Sequence, residues 1–279
     1  MITVLPSDYI PMPADSSPPT GPSLGFTVFC AVTVVALLVW WWFSGERRRG
    51  PILPLLFVGI AISAIVVEPI YDNTLLYWYP PDNPLGLVNL YGRTVPLFTV
   101  MGYAWFFGGT SYLLWRLFQC GMNRRQIWSL FGIVVGIDAL ATGTAGWLGI
   151  SGFYGDQPFM FGGINVWFAF ADATGSIVGA VILYLVVPRL HGWKWLWLLV
   201  IPTISYGAVL GGVTSPVVLG LHSDWTTLGR WLGGAGTIAL CGVVAYGCTA
   251  IAEKGSIFRP MSADRPHEAA AELATSANR

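Results

Sequence analysis

Apolar runs of about 18 to 25 residues recur along this chain, the length an α-helix needs to cross hydrocarbon about 30 Å thick. No other feature restricts the fold as strongly. Inside a bilayer each backbone N–H and C=O must find its partner within the protein, and a continuous apolar run does so as a helix. The runs predict spans at 24–43, 52–72, 95–118, 127–150, 164–187, 195–219 and 229–252. Of the 279 residues, 54% are hydrophobic and 10% charged, against about 25% charged in a soluble domain. A soluble core has no room for so much apolar surface. The expected fold class is all-α, a polytopic transmembrane helical bundle of about seven spans in the cell membrane.

The basic residues give the bundle a direction. Arg47, Arg48 and Arg49 follow the first span, Arg116, Arg124 and Arg125 bracket the turn after the third, and Arg189 and Lys194 follow the fifth. Lys254, Arg259, Arg265 and Arg279 follow the seventh, so only Arg93 and Arg230 fall on the opposite side. The side rich in Lys and Arg is cytoplasmic by the positive-inside rule. The N-terminus is therefore expected outside and the C-terminus in the cytoplasm. Three segments follow: a disordered extracytoplasmic tail at 1–23, the transmembrane domain at 24–252, and a disordered cytoplasmic tail at 253–279. The first residues are proline-rich and lack the basic stretch of a secretory signal. The net charge of zero gives no pull toward nucleic acid. Cys30, Cys120, Cys241 and Cys248 form no C-x-x-C and read as small apolar residues, with no metal site expected. Small residues four apart, Gly132/Gly136 and Gly175/Gly179, predict close helix packing.

Charges within spans are costly and mark function. Glu68 and Asp72 stand four apart near the outer end of the second span, on one helix face. Asp138 falls near the middle of the fourth span, with Thr142 a turn later as a hydrogen-bond neighbour. Asp172 lies roughly 12 Å below the outer end of the fifth span, at about 1.5 Å per residue. It shares a face with Gly175 and Gly179, which points it into the bundle, and Asn165 lies on that face nearer the surface. No Lys or Arg sits at mid-span to pair with either aspartate. A carboxyl buried without a cation tends to keep its proton, the state of a general acid. The outer connection 73–94 carries Tyr77, Trp78, Tyr79, Tyr91 and Arg93, and predicts a cap over a cavity with Arg93 paired to Glu68 or Asp72. The connection 151–163 is expected to cover the same cavity. His222 reads as a satisfied loop residue. The unusual polar residues thus gather in the outer half, which predicts a pocket opening outward or sideways into the outer leaflet.

The run Glu68-Pro69-x-x-Asp72, then Trp78-Tyr79-Pro80, Gly92-Arg93-x-x-Pro96 and Gly102-Tyr103, resembles the AveC-like spirocyclase family over residues 66–104. The resemblance implies a membrane enzyme that closes a dihydroxy-ketone chain into a spiroketal, with an associated dehydration in the family's namesake. Addition of two hydroxyls to one carbonyl with loss of water needs a proton donor and a carboxylate, and no metal or redox cofactor. The expected catalytic set is Glu68, Asp72, Asp138 and Asp172. Tyr71, Trp78, Tyr79, Tyr91, Arg93, Tyr103 and Asn165 are the expected substrate contacts. The expected partners are membrane lipids and a hydrophobic small-molecule or lipid substrate, polyketide-like where the resemblance is followed.

The same buried carboxylates would serve a proton-coupled transporter or lipid-handling protein. Against that stand the plain inner half and the lack of an internal repeat. A retinal protein needs a lysine in its last span, and none falls between Arg230 and Glu253.

Overall fold

The computed structural model describes residues 19–253. Most of the expected N-terminal tail, residues 1–18, and the C-terminal tail from 254 onward lie outside the described residues. Helix α1 spans Thr20–Phe43, so it begins before the expected start at 24. The prolines of that stretch do not prevent it. Pro22 falls in the first turn, where a helix N–H has no intrahelical acceptor and its loss costs little. The buried residues of α1 form one narrow stripe, Ser23, Thr27, Cys30 and Trp41. Valines such as Val28, Val32 and Val35 face outward, as apolar side chains toward lipid should.

Helix α2 spans Ile52–Thr74. The third expected span is divided into α3 at Leu97–Tyr103, a π-helical segment at Ala104–Gly109 and α4 at Thr110–Gln119. Helix α5 spans Arg124–Trp147 and opens with a capping box in which Asn123 and Gln126 satisfy each other's backbone N–H. Helix α6 spans Val166–Val186. The sixth expected span is also composite. It has a 3₁₀ segment at Gly192–Leu199, α7 at Ile201–Ala208, a π-helical segment at Val209–Val213 and α8 at Ser215–Leu221. Helix α9, Thr227–Ala252, completes the bundle. Among the described residues, six helices are long and apolar enough to cross a membrane: Thr20–Phe43, Ile52–Thr74, Arg124–Trp147, Val166–Arg189, Gly192–Val213 and Thr227–Ala252. The chain is thus a helical membrane protein.

Helix α6 runs through the middle, packed on α4, α5, α7 and α9. Its small residues make this possible. A Cβ at Gly175 would meet Tyr206 at 3.2 Å, and one at Gly179 would meet Ser111 Oγ at 2.6 Å. The pair Gly132/Gly136 does not follow its expectation. Both glycines are exposed, and a Cβ at either would meet nothing within 4 Å.

One end of the bundle carries Arg47–Arg49. There Glu46 accepts hydrogen bonds from Tyr112 (2.8 Å) and Arg116 Nε (2.7 Å), tying the turn before α2 to α4. Burial pushes the Glu46 carboxyl up, but the hydrogen bonds and charge of Arg116, with Tyr112 and Arg49, outweigh it, and the net direction is down. The other end is capped by short strands that the helical reading did not foresee. Strand β1 (Tyr77–Trp78) pairs antiparallel with β4 (Gly152–Phe153), joining the two long connections. Strands β2 (Gly86–Leu90) and β3 (Arg93–Pro96) form a hairpin, as do β5 (Met160–Phe161) and β6 (Ile164–Asn165). Tyr91 and Gly92 make the first hairpin turn with φ of 54° and 74°, the backbone of a two-residue turn matched to strand twist.

Candidate functional site

A cavity of about 100 Å³ lies beneath the cap. Its wall is mostly aromatic, with Phe26, Phe98, Phe106, Phe107 and Phe168 prominent. Against that apolar lining stand three carboxyl groups from three helices: Glu68 of α2, Asp138 of α5 and Asp172 of α6. All three are buried, each at most 6% exposed. Tyr79 and Tyr103, both expected as substrate contacts, are on the wall as well.

The carboxyls are linked by tyrosine hydroxyls. Tyr79 donates to Glu68 Oε1 at 2.6 Å, and Tyr103 donates to Glu68 Oε2. The Tyr103 and Tyr206 hydroxyl oxygens are 2.9 Å apart. Tyr206 in turn lies beside the Asp172 carboxyl, which neighbours Asp138 on the same cavity wall. A phenol has one proton to give, so the series has a direction. With Tyr103 donating to Glu68, Tyr206 donates to Tyr103, and its oxygen is left free to accept from the Asp172 side. The facing aspartates fit that assignment. Two carboxylates offer only acceptors, and Asp138 Oδ2 and Asp172 Oδ1 would then be buried without a donor, at about 1–3 kcal/mol each. A proton held by the pair turns one acceptor into a donor.

Packing fixes the tyrosines. Tyr103 stacks edge-on against Phe107 (4.9 Å) and Tyr206 (5.1 Å). Tyr206 packs on Phe107 at 4.1 Å and over Gly175 of α6. Both π-helical segments abut this cluster. Trp105, Phe106 and Phe107 of the first line the cavity, and the second begins shortly after Tyr206. A π-turn shifts the helix phase, and such turns often mark functional sites.

The other expected site residues lie elsewhere. Asp72 is 1% exposed but off the cavity wall. The charge of Arg93 acts on Asp72, while Arg93 Nε donates to Asn73 Oδ1 at 3.0 Å and its guanidinium to Tyr154. Of the two expected carboxylates it therefore serves Asp72, and Glu68 is held by tyrosines instead. Tyr71 sits behind the wall, edge-on to Tyr206 at 5.6 Å. Trp78 is buried under the cap strand, its Nε1 close to Gly152. Tyr91 is 73% exposed at the hairpin tip and is not on the cavity wall. Asn165 donates to Gln157 at 3.2 Å and holds the 151–163 connection. Thr142 lines the cavity, yet its hydroxyl bonds the Asp138 backbone carbonyl (2.9 Å) instead of the carboxyl. His222 donates from Nε2 to the Thr74 carbonyl oxygen, 2.8 Å away, as a satisfied loop residue.

Tyr206 and Ser151 were missed by sequence reasoning. Ser151 accepts from Tyr77 at 2.5 Å and closes the cap end of the cavity. Tyr206 sits in a composite span whose glycines and prolines drew attention away from it. Its signal was available: a lone phenol in the middle of an apolar run. Among the described residues no three His, Cys, Asp or Glu side chains gather to hold a metal ion. Comparison of the chain with family models, with curated proteins and with solved structures returns no match.

Proposed function

We propose that this chain is a membrane-embedded cyclase or dehydratase that uses buried carboxyl groups as acid and base, and closes a hydroxy-ketone of polyketide or lipid type into a spiroketal-like ring. The observation that carries the reading is the gathering of Asp138, Asp172 and Glu68 with Tyr103 and Tyr206 on the wall of one aromatic cavity, Glu68 hydrogen-bonded through Tyr103 to Tyr206. The resemblance of residues 66–104 to AveC-like spirocyclases points to the same chemistry.

The proton count closes over a cycle. A hemiketal hydroxyl takes a proton from Asp172 and leaves as water, breaking one C–O bond. The oxocarbenium ion that results lies among fixed dipoles and the Glu68 carboxylate. The substrate's second hydroxyl forms the new C–O bond and gives its proton to Glu68. Glu68 has then gained the proton that Asp172 lost. Three concerted transfers, Glu68 to Tyr103, Tyr103 to Tyr206 and Tyr206 to Asp172, restore the start. Asp138 holds Asp172 in place and shares its proton. Asp72 and Arg93 hold the cap.

The test is mass spectrometry of lipid extracts from three strains: one lacking the gene, one with the wild-type chain, and one with Asp172→Asn verified as expressed and folded. The expected result is a species in the first and third strains that is one water heavier than a product found only with the wild type. If no compound changes chemically and one instead moves between cell and medium, the protein is a transporter and the catalytic roles fall.

A further inference from the structure

We infer that the substrate enters this pocket sideways from the lipid, through a window between α1 and α5, and is a membrane-dissolved amphiphile whose oxygenated end reacts while its apolar chain stays in the window. The inference rests on the reading of the pocket as a substrate site.

The cavity is partly open, and exposure around its wall is confined to one sector. The lining residues that are not fully buried are Phe26 of α1, Gly102 of α3, Trp105 of the adjoining π-segment, and Ala141 and Thr142 of α5. These are the two sides of one gap. Helix α1 packs on α3 and the π-segment, α5 packs on α6 and α9, and α1 and α5 do not pack closely on each other. The flanks of the gap, Phe29 (54% exposed) and Leu140 (61%), are apolar and face outward. In a bilayer those surfaces meet acyl chains.

The route from the capped end is shut. Tyr77, Tyr79, Phe98, Ala145 and Ile150 form a closed apolar cluster under the cap, with Phe26 packed on it. Above them the β1–β4 pair and the Tyr77–Ser151 hydrogen bond join the connections. Pro19, at the start of α1, reaches Gly149 just beyond α5, which frames the top of the window.

Polarity is arranged to match. Glu68, Asp172 and Tyr206, from α2, α6 and α7, are buried behind the opening, and the apolar Phe26, Trp105 and Ala141 are the partly exposed residues at the mouth. Such a mouth offers nothing to a hydrated solute and suits a hydrocarbon chain. Size agrees. A water-sized group takes about 10–15 Å³ of such space, so about 100 Å³ holds roughly seven to ten heavy atoms. That is enough for a reacting end and too little for a whole lipid. Gly102 keeps the mouth clear, since a Cβ there would meet nothing within 4 Å.

The test uses the full chain in nanodiscs and three diazirine probes: a long-chain hydroxy-ketone, a phosphatidylcholine with the diazirine on its acyl chain, and a short water-soluble hydroxy-ketone. Adducts are located by peptide mass spectrometry. The long-chain hydroxy-ketone is expected to label residues around Cys30 and Thr142. That labelling should be lost in Gly102→Leu and in Ala141→Leu, which fill the mouth from opposite sides, and kept in Gly136→Leu on the exposed face of α5. Adducts spread evenly over lipid-facing surfaces would overturn the inference. Equal labelling by phosphatidylcholine would overturn the substrate class, and labelling by the short probe alone would overturn the route. Because binding is read without turnover, a probe that enters and is never converted sinks the cyclase reading and leaves the route intact.

Discussion

Two aspartates, a glutamate and two tyrosines divide the proposed work so that each can be tested by itself. Asp172→Asn removes the donor, and loss of a general acid costs about 10²–10⁴-fold in rate. Tyr206→Phe keeps the donor and cuts the return path between Tyr103 and Asp172. Its first turnover should run near the wild-type rate and later ones should stall, so rapid-quench traces should show a burst where the wild type shows none. Equal loss in both phases would make Tyr206 a packing residue. At the opposite end, Glu46 gives a stability prediction with a definite sign. Its carboxyl is held below its ordinary value of 4.5 by Arg116, Tyr112 and Arg49 against the opposing effect of burial. A depressed folded-state pKa contributes stability above the unfolded value, lost as pH falls through the folded one. Glu46→Gln should therefore cost about 1–3 kcal/mol near neutral pH and flatten the loss of stability below pH 4.5, as read by thermal unfolding in detergent. The sequence made the carboxyls legible, because a charge in an apolar run has no bland explanation. It singled out Tyr79 and Tyr103 but not Tyr206, and it did not show that the tyrosines meet. With 11 of them, and phenols common at membrane interfaces, only the fold reveals which ones meet.

Among the helices, glycine roles separate by what surrounds the missing side chain. A Cβ at Gly59 of α2 would sit 2.4 Å from the Leu199 carbonyl oxygen and 2.7 Å from its Cα. Backbone cannot step aside as a side chain can. Gly59→Ala should thus cost about 1–3 kcal/mol through overpacking, exceeding the gain of about 1 kcal/mol in helix propensity. Gly136→Ala meets nothing and keeps that gain, so the two variants should move the unfolding temperature in opposite directions. A Gly59→Ala variant as stable as the wild type would mean that α2 and the Gly192–Leu199 segment are not held so closely. Spacing alone cannot separate these cases. Gly132/Gly136 and Gly175/Gly179 look the same in sequence, yet only the second pair faces a partner helix. The apolar runs located the six helices long enough to cross a membrane, but length and hydropathy say nothing of hydrogen-bond register. The π-segments at Ala104–Gly109 and Val209–Val213 were therefore invisible. The cap strands were hidden too, because β1 and β4 are two residues each and pair across a long separation in sequence.

The whole molecule is polar in two senses, and the two coincide. Arginines gather at one end, around Glu46 and the start of α5, while the carboxyl-lined cavity and the cap lie toward the other. The first asymmetry is readable in the sequence and sets the expected orientation through the positive-inside rule. The second required the bundle to form, since Glu68, Asp138 and Asp172 come from three helices. If the arginine end is cytoplasmic, the window between α1 and α5 opens into the outer leaflet, and a substrate made inside the cell must cross the bilayer before it reacts. The chain carries its own reporter of that arrangement. Cys120, in the turn between α4 and α5 at the arginine end, is exposed, whereas Cys30, Cys241 and Cys248 are buried. A charged maleimide that cannot cross membranes should leave Cys120 unmodified on intact cells and modify it in inside-out vesicles, with Cys120→Ser removing the signal. Modification on intact cells would place the arginine end outside. It would turn the cavity toward the inner leaflet, and the substrate would then be met on the side where it is made.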